Sequence, residues 1–138
     1  MKGTGKAQNQ IVIIDDNSMN IELYSLILRR LNTQIHTATN KEEALNLLKD
    51  LDPDIIAFEI SFSPIANVKY PKEIRNVMTS QYPKIIAISA CVMNGDRELL
   101  LSAGYDAFIP VPINTCEFYC VFESYLFGNN AEYPIFLS

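Results

Sequence analysis

The segment that decides the fold is Gln10-Ile-Val-Ile-Ile-Asp15, a short continuous apolar run that ends in an acidic residue. An unbroken run of this kind is typical of a parallel strand that is buried on both faces. The period then changes, because four apolar residues recur at every fourth position: Met19, Leu23, Ile27 and Leu31. The pattern predicts a buried strand followed by a helix over residues 17 to 31.

Further strands and helices are predicted by similar changes of period along the chain. Strands are predicted at residues 34–37, 55–59, 84–89 and 107–109. Helices are predicted at residues 40–49, 71–80, 95–104 and 114–127. Alternation of strand and helix implies right-handed crossovers between parallel strands. The sequence therefore predicts an α/β fold with a doubly wound, five-stranded parallel sheet.

Several residues are typical of helix ends. Asn40 precedes the second helix and Glu43 follows three residues later, which is the spacing of a capping box. Gly104 follows the fourth helix, at a position where a left-handed backbone favours glycine. Pro112 and Asn114 precede the last helix. These residues predict where three of the helices begin or end.

The composition limits the classes of function. The 138 residues are 49% hydrophobic and 20% charged, which suits one globular domain with a sizeable core. A formal net charge of -5 provides no basic footprint for nucleic acid. No window approaches the roughly 20 consecutive apolar residues of a membrane span, and the start of the chain lacks the apolar core of a secretory signal. We expect a cytoplasmic protein that binds neither nucleic acid nor membrane.

The ends of the chain differ from its centre. Residues 1–9 are polar and aperiodic and predict a disordered tail, residues 10–128 form the domain, and residues 129–138 form a C-terminal tail. The three cysteines are Cys91, Cys116 and Cys120. Because an odd number of cysteines in an intracellular chain disfavours a disulfide framework, we expect free thiols.

The strand ends carry the candidate functional residues. Asp15 and Asp16 end the first strand, Glu59 ends the third and Ser89 ends the fourth. Ligands of such sheets bind outside the carboxyl ends of the strands. Carboxylates gathered there suit Mg²⁺, and a nearby hydroxyl could contact an anion. The sequence predicts a metal site formed by Asp15, Asp16 and Glu59.

Two segments carry a family resemblance that spans about residues 10 to 127. The segment from Ile11 to Asn20 resembles the opening of receiver domains of two-component signalling, especially those attached to hybrid histidine kinases. The segment from Ser89 to Ile113 resembles the second half of the same family without a gap. The resemblance implies a flavodoxin-like (βα)5 receiver fold. It also implies a protein partner, such as a histidine kinase or another phosphorelay protein.

The resemblance assigns roles position by position. Asp15 and Asp16 match the residues that hold Mg²⁺, and Ser89 matches the hydroxyl residue that contacts the phosphoryl group. Phe108 matches the aromatic residue that reports the switch. Two positions depart from the family, since Glu59 stands where the phosphoacceptor is Asp and Val111 stands where the family has Lys.

Both departures act on the phosphorylation step. A Glu carboxylate is one methylene longer than Asp, and misplacing a reacting group by about an ångström can cost on the order of a hundredfold in rate. Replacing Lys by Val111 removes a cation that would stabilise the acyl phosphate, and electrostatic stabilisation is usually the largest catalytic term. We therefore predict that Glu59 is not phosphorylated and that the chain is a binding module and not an enzyme.

Loss of the Lys leaves three carboxylates facing one another. Two like charges about 4 Å apart repel by roughly 4 kcal/mol at an effective dielectric of about 20. A weakly bound divalent cation, a protonated carboxyl or an Arg or Lys from a partner would relieve this repulsion, and we favour the cation or the proton. Alternatively, Glu59 imitates a phosphorylated Asp and holds an active-like conformation.

The last helix suggests a partner surface. Nine of the fourteen residues from Asn114 to Phe127 are apolar, and none is Lys or Arg. A helix that is apolar nearly all round needs cover on both sides. The C-terminal tail, a second subunit in a homodimer or another protein could supply it. In the receiver family the surface of helix four, strand five and helix five binds partners, and the candidates for it are Tyr105, Phe108, Tyr119 and Phe122.

Two alternatives remain open. Asp15, Asp16 and Ser89 also suit a conventional phosphorylatable receiver with Mg²⁺-dependent phosphotransfer. A small nucleotide- or flavin-binding protein of flavodoxin-like topology is a different class. The absence of a glycine-rich phosphate loop after the first strand counts against it.

Overall fold

The structure, a computed structural model, describes residues 8–60, 68–78, 83–89 and 95–128. Within these ranges the strands are β1 Asn9–Ile14, β2 Thr33–Ala38, β3 Ile55–Glu59, β4 Lys84–Ser89 and β5 Ala107–Pro110. The helices are α1 Ser18–Leu28, α2 Lys41–Leu48, α3 Tyr70–Val77, α4 Asp96–Ser102 and α5 Thr115–Phe127. A short 3₁₀ turn, Arg29–Leu31, follows α1.

The strands form one parallel sheet in the order β2-β1-β3-β4-β5. This order confirms the predicted doubly wound fold. The chain order reverses between β1 and β3, and a crevice at the carboxyl ends of these strands is the usual binding position in such a sheet. Asp15 follows β1 and Glu59 ends β3, so the topology brings both residues to that crevice.

Two apolar layers cover the two faces of the sheet. Ile11 and Ile13 of β1 pack in the layer that includes α1 and α5, whereas Val12 and Ile14 pack in the layer that includes α3 and α4. Successive side chains of a strand point to opposite faces. Because both faces are covered, the strand has to be apolar at every position, which explains the unbroken apolar run.

Asparagine side chains cap three helices. The Oδ1 atom of Asn17 accepts hydrogen bonds from the backbone N–H groups of Met19 and Asn20, at 2.9 and 3.1 Å. The cap predicted at Asn40 is confirmed, since its Oδ1 accepts from the Glu43 N–H at 2.8 Å. Asn114 caps α5 through the same bond, to the N–H group three residues later, at 3.0 Å. These bonds satisfy N–H groups that have no partner inside the helix.

Glycines end two helices. Gly104 has a φ of +114° and Gly128 a φ of +65°, both in the left-handed region. A Cβ atom on Gly104 would lie 3.1 Å from the Cβ atom of Pro71. The position predicted at Gly104 therefore needs glycine both for its backbone and for its close approach to α3.

Some predicted boundaries differ from the structure. β1 begins at Asn9, which pairs with Thr33, so this residue belongs to the sheet and not to the predicted N-terminal tail. α3 ends at Val77 and not near residue 80, because the backbone of Met78 is extended. Residues 1–7 and 129–138, to which most of the predicted tails belong, lie outside the described residues.

The apolar spacing in α1 predicted the helix but not its buried face. Met19, Leu23 and Leu26 are 77%, 43% and 51% exposed. Ile27 and Leu31 of the repeat are buried, and so are Tyr24 and Leu28. A period of four residues drifts around a helix of 3.6 residues per turn, so the repeat does not follow one face.

Among the helices of the described ranges, none is long and apolar enough to cross a membrane.

Candidate functional site

Asp15 lies directly after β1 and is buried, with 3% of its surface exposed. Its Oδ1 atom accepts a hydrogen bond from the backbone N–H of Asn17 at 2.8 Å. Its Oδ2 atom accepts one from the side-chain amide of Asn20 at 3.1 Å. The carboxylate is thus held by the first turn of α1, which fixes its direction.

Burial is the main influence on the acidity of Asp15. It raises the pKa of the carboxyl group, because the charged form is poorly solvated. The hydrogen bonds from Asn17 and Asn20 act in the opposite direction, and the charge of Asp16 adds to the increase. The carboxyl group therefore holds its proton more tightly than a solvated Asp does.

The other predicted residues of the strand ends also lie at the carboxyl edge. Glu59 is half-buried and lies beside Ile88 of β4 in the sheet register. Ser89 is fully buried and pairs with Pro110 of β5. The sequence predicted this edge correctly, because the ends of parallel strands meet there.

The predicted metal site does not form in the described residues. No group of three His, Cys, Asp or Glu side chains in those ranges could hold a metal ion. Asp16 is exposed, whereas Asp15 is buried and bonded to α1. Asp15, Asp16 and Glu59 do not form such a group in this conformation, and the metal role that the resemblance implies for them stays a prediction. The side chains present do not fit a Mg²⁺ ion held by all three.

Val111 follows β5 on the side of the sheet that α1 and α5 cover. Its side chain is half-buried and packs against the apolar cluster of that side. Its backbone N–H donates to the carbonyl of Ser89 at 3.0 Å. The residue that stands in the place of the family's Lys is therefore part of an apolar wall.

Tyr24 is a residue of this region that the sequence did not reveal. It lies on the inward face of α1, is 1% exposed and stacks on Phe118 with ring centroids 5.0 Å apart. Its hydroxyl oxygen is buried and has no hydrogen-bond partner in the structure. Burial, followed by the charges of Asp15 and Glu59, raises the pKa of Tyr24 to about 12. The only sequence signal was a polar aromatic residue one turn after Asn20.

The predicted partner face is wrong for three of its four residues. Tyr105, Phe108 and Phe122 are 2%, 3% and 0% exposed, because they fill the two apolar layers. Tyr119 is half-buried, and the guanidinium group of Arg30 lies 5.3 Å from its ring centroid. Only Tyr119 of the four is accessible to a partner in this conformation.

Cys116 on α5 is an exposed free thiol, as predicted, and Cys120 on the same helix is buried. Cys91 lies outside the described residues.

Comparison with known proteins agrees with this geometry. The family model of the response regulator receiver domain matches residues 11–120. The polar-differentiation response regulator DivK of Brucella anthropi is 27% identical over 116 residues, which cover 84% of this chain and 94% of that protein.

Solved structures also resemble the chain. A two-component response regulator from Clostridium difficile superposes with a TM-score of 0.77 at 27% identity, covering 89% of this chain and all of that one. A response regulator from Thermotoga maritima has a TM-score of 0.78 at 16% identity, over 86% and 98% of the two chains, and shows the same fold. From the sheet order, the residues at its carboxyl edge and these matches, the chain belongs to the response regulator receiver domain family.

Proposed function

We propose that this chain is a degenerate receiver domain, which is not phosphorylated and signals by binding another protein. The observation that carries the proposal is the pair of residues at the ends of β3 and β5. Glu59 ends β3 in the crevice, and Val111 packs into the apolar layer beside it. A receiver of this kind has neither an Asp nucleophile nor a Lys at these two positions.

Three physical arguments support the absence of phosphotransfer. The longer Glu59 side chain displaces its carboxylate from the place where an Asp would attack, and such a displacement of about an ångström lowers the rate by on the order of a hundredfold. Val111 offers no positive charge to the transferring phosphoryl group. The buried and locally bonded carboxylate of Asp15 is also poorly placed to complete a Mg²⁺ site.

The exposed part of α1 supports binding to a protein. Met19, Leu23 and Leu26 are large apolar side chains that stand in solvent on one helix. Exposed apolar patches of this kind commonly mark protein interfaces. We propose a histidine kinase or another phosphorelay protein as the class of partner, and the cytoplasm as the place where they meet.

Intact mass spectrometry after incubation with acetyl phosphate and Mg²⁺ tests the absence of phosphorylation. We expect no phosphoryl adduct on the natural chain. The double variant Glu59→Asp, Val111→Lys restores both family residues and should form the adduct under the same conditions. A stable adduct on the natural chain, at Glu59 or at another carboxyl group, would overturn the proposal.

The alternative function is a conventional receiver with Mg²⁺-dependent phosphotransfer. It is favoured by the position of Asp15 and Ser89 at the same sheet edge. The acetyl phosphate experiment distinguishes the two functions directly, because only the conventional receiver accumulates the adduct.

The role of α1 needs a separate test. Leu26→Glu places a charge on the exposed face of α1, and Leu99→Glu places the same charge on α4, where the side chain is 39% exposed. We expect Leu26→Glu to lose binding to a phosphorelay partner in a direct titration, whereas Leu99→Glu retains it. Equal binding by both variants would show that α1 is not the interface.

A further inference from the structure

Strand β2 forms one outer edge of the sheet. Among the described strands it pairs only with β1, so no described strand lies along its other edge. The carbonyl of Ala38 accepts a hydrogen bond from the N–H of Asp15, on the β1 side, at 3.0 Å. Because backbone groups alternate in direction along a strand, the N–H and C=O groups that point away from β1 are those of Thr33, Ile35 and Thr37. An added strand would find its hydrogen-bonding partners there.

The edge of β2 lacks the features that normally prevent another strand from adding. Its six residues, Thr33–Ala38, include no Pro, Lys, Arg, Asp or Glu. Proteins commonly protect an edge strand with such residues, with a bulge or by making the strand short. The opposite edge strand, β5, has four residues and ends in Pro110, which has no N–H group. Of the two edges of the sheet, β2 is therefore the better site for an added strand.

A groove accompanies β2 on each face of the sheet. On one face, α1 and β2 line a groove of about 300 Å³ that includes Thr33 and Ile35. On the other face, α2 and β2 line a groove of about 490 Å³ that includes His36. Successive side chains of a strand point to opposite faces of its sheet. The side chains of a strand added beside β2 would therefore enter the two grooves in turn.

The two helices present the same kind of stripe to these grooves. The groove residues of α1 and of the 3₁₀ turn after it are Glu22, Ser25, Leu26 and Arg29. Those of α2 and of the turn after it include Glu43, Asn46, Leu47 and Asp50. Both sets have the spacing i, i+3, i+4, i+7, which follows one face of a helix. The wall of each groove thus has a leucine near its middle and charged residues at its ends.

The groove beside α2 is acidic. Glu43 and Asp50 are both exposed. Hydrogen bonds from the backbone N–H and the hydroxyl of Thr39, at 2.7 and 3.0 Å, lower the pKa of Glu43, so its carboxyl group is charged at neutral pH. Long basic side chains commonly pack their alkyl chains on apolar residues while the charged end stays in water. With Leu47 between the two acids, this groove suits a lysine or arginine side chain.

The groove beside α1 is apolar in its middle and balanced in charge. Leu26 is 51% exposed, and Ile35 is half-buried. Glu22 and Arg29 carry opposite charges, so together they contribute no net charge. An aliphatic side chain in this groove would cover the exposed part of Leu26, which is favourable because apolar surface leaves water. This groove therefore suits an aliphatic side chain.

We propose that β2 binds an extended segment of another protein in which basic and aliphatic residues alternate. The segment extends the five-stranded sheet by one strand, through backbone hydrogen bonds to Thr33, Ile35 and Thr37. Its basic side chains enter the groove beside α2, and its aliphatic side chains enter the groove beside α1. In strand addition the main chain provides affinity, and pockets for alternate side chains provide specificity. This inference goes beyond the proposed function and does not depend on it.

A second copy of this chain suits the same edge less well. Two copies that paired through β2 would be related by a two-fold axis. The axis would bring the two α2 helices side by side and turn Glu43 of each copy towards Asp50 of the other. Like charges in such positions repel. A basic side chain in the same place is attracted instead, which favours a basic partner segment.

Blocked hexapeptides test the proposal by nuclear magnetic resonance of the isotopically labelled protein. A peptide in which lysine and valine alternate should shift the amides of Thr33, Ile35 and Thr37 in a saturable way and slow their hydrogen exchange, because these N–H groups gain acceptors. A peptide of three lysines followed by three valines has the same composition and charge, and it should bind about tenfold more weakly because it loses two ion pairs. An alternating glutamate and valine peptide should bind more weakly still. Equal binding of the two lysine peptides, shifts confined to other amides, or no saturable response up to millimolar peptide would overturn the proposal.

Two results without peptide would assign the edge to another occupant and overturn the proposal. Shifts of the same three amides that grow with protein concentration would indicate a second copy. Slow hydrogen exchange of these amides at every protein concentration would indicate a segment of this chain.

Variants provide a second test. Thr37→Pro removes an N–H group that points away from β1, so it should weaken binding of the alternating lysine peptide about tenfold. Thr37→Val keeps this N–H group and should bind as the natural chain does. Asp50→Lys reverses a charge in the groove beside α2 and should weaken binding about fivefold. Glu42→Lys makes the same change at an exposed residue of α2 that does not line the groove, and it should leave binding unchanged.

Thermal unfolding shows whether each variant is folded. The charge variants test the proposal independently if Thr37→Pro is unstable. Equal affinities of Asp50→Lys and Glu42→Lys, or of folded Thr37→Pro and Thr37→Val, would show that the peptide does not add to β2.

Discussion

Replacing Phe118 by Ala should remove much of the stability of the domain. The ring is fully buried and lies 5.0 Å from the Tyr24 ring and 4.8 Å from the Phe122 ring, measured between centroids. Buried Phe to Ala changes cost about 3–5 kcal/mol. Because two aromatic pairs are lost as well, we expect about 4–5 kcal/mol. Domains of this size have a free energy of unfolding of about 5–15 kcal/mol, so the variant should be only marginally folded.

Two control variants separate the causes of this loss. Phe118→Leu retains most of the apolar volume but loses the aromatic pairs, and we expect a cost of about 1–3 kcal/mol. Phe127 lies on the same helix and is 55% exposed, so Phe127→Ala should change the free energy of unfolding by less than about 0.5 kcal/mol.

Urea unfolding followed by far-ultraviolet circular dichroism measures these differences. The slope of the free energy against urea concentration should remain the same for all variants, so that the midpoint reports stability. Two results would contradict the described packing of α5 against α1. One is a loss of less than about 1 kcal/mol in the free energy of unfolding of Phe118→Ala, and the other is a loss in Phe127→Ala as large as that in Phe118→Ala.

Three further predictions concern backbone, capping and pH. Gly104→Ala should lower the free energy of unfolding by about 1–2 kcal/mol because of its left-handed backbone. The loss should exceed that of Gly95→Ala, because only a Cβ atom on Gly104 would meet Pro71, at 3.1 Å. Equal thermal unfolding midpoints of the two variants would contradict the contribution of this steric contact. Asn114→Ala should lower the free energy of unfolding by about 1 kcal/mol through loss of the α5 cap, while Asn114→Asp keeps the acceptor and should change it little. Burial raises the pKa of Asp15 above its ordinary 3.8, so the folded state binds this proton more tightly and stability falls as pH rises through that value. Asp15→Asn removes the titration, and its stability relative to the natural chain should therefore increase from acid to neutral pH; a constant difference in urea unfolding would show that the shift is absent.

The sequence predicted the architecture because the signals for it are local. The apolar run from residue 11 to residue 14 requires cover on both faces of the strand. In a chain that alternates strands and helices, helices on both faces of the sheet supply this cover, which gives a doubly wound sheet. The caps at Asn40 and the glycine at Gly104 depend on backbone groups a few residues away. Such short-range contacts can be predicted from residues that are close together in the sequence.

Side-chain directions at the candidate site were not predictable in the same way. Asp15 and Asp16 are neighbours in sequence, yet one is buried and bonded to α1 while the other is exposed. The aromatic residues Tyr105 and Phe122 could have lain on a surface or in the core, and the residue type alone does not decide between these locations. Their burial follows from how α5 and β5 pack on the sheet.

The sequence by itself determined the order of strands and helices, the edge of the sheet where the acidic residues gather, and the two positions where the family's Asp and Lys are replaced. Only the tertiary structure decided that Asp15 is buried while Asp16 is exposed, that Tyr24 is buried on the inward face of α1, and that α1 keeps apolar side chains in solvent. The physical reason is that secondary structure responds to neighbours along the chain. A pocket, by contrast, is formed by side chains that come from separate elements, and their directions are set by packing.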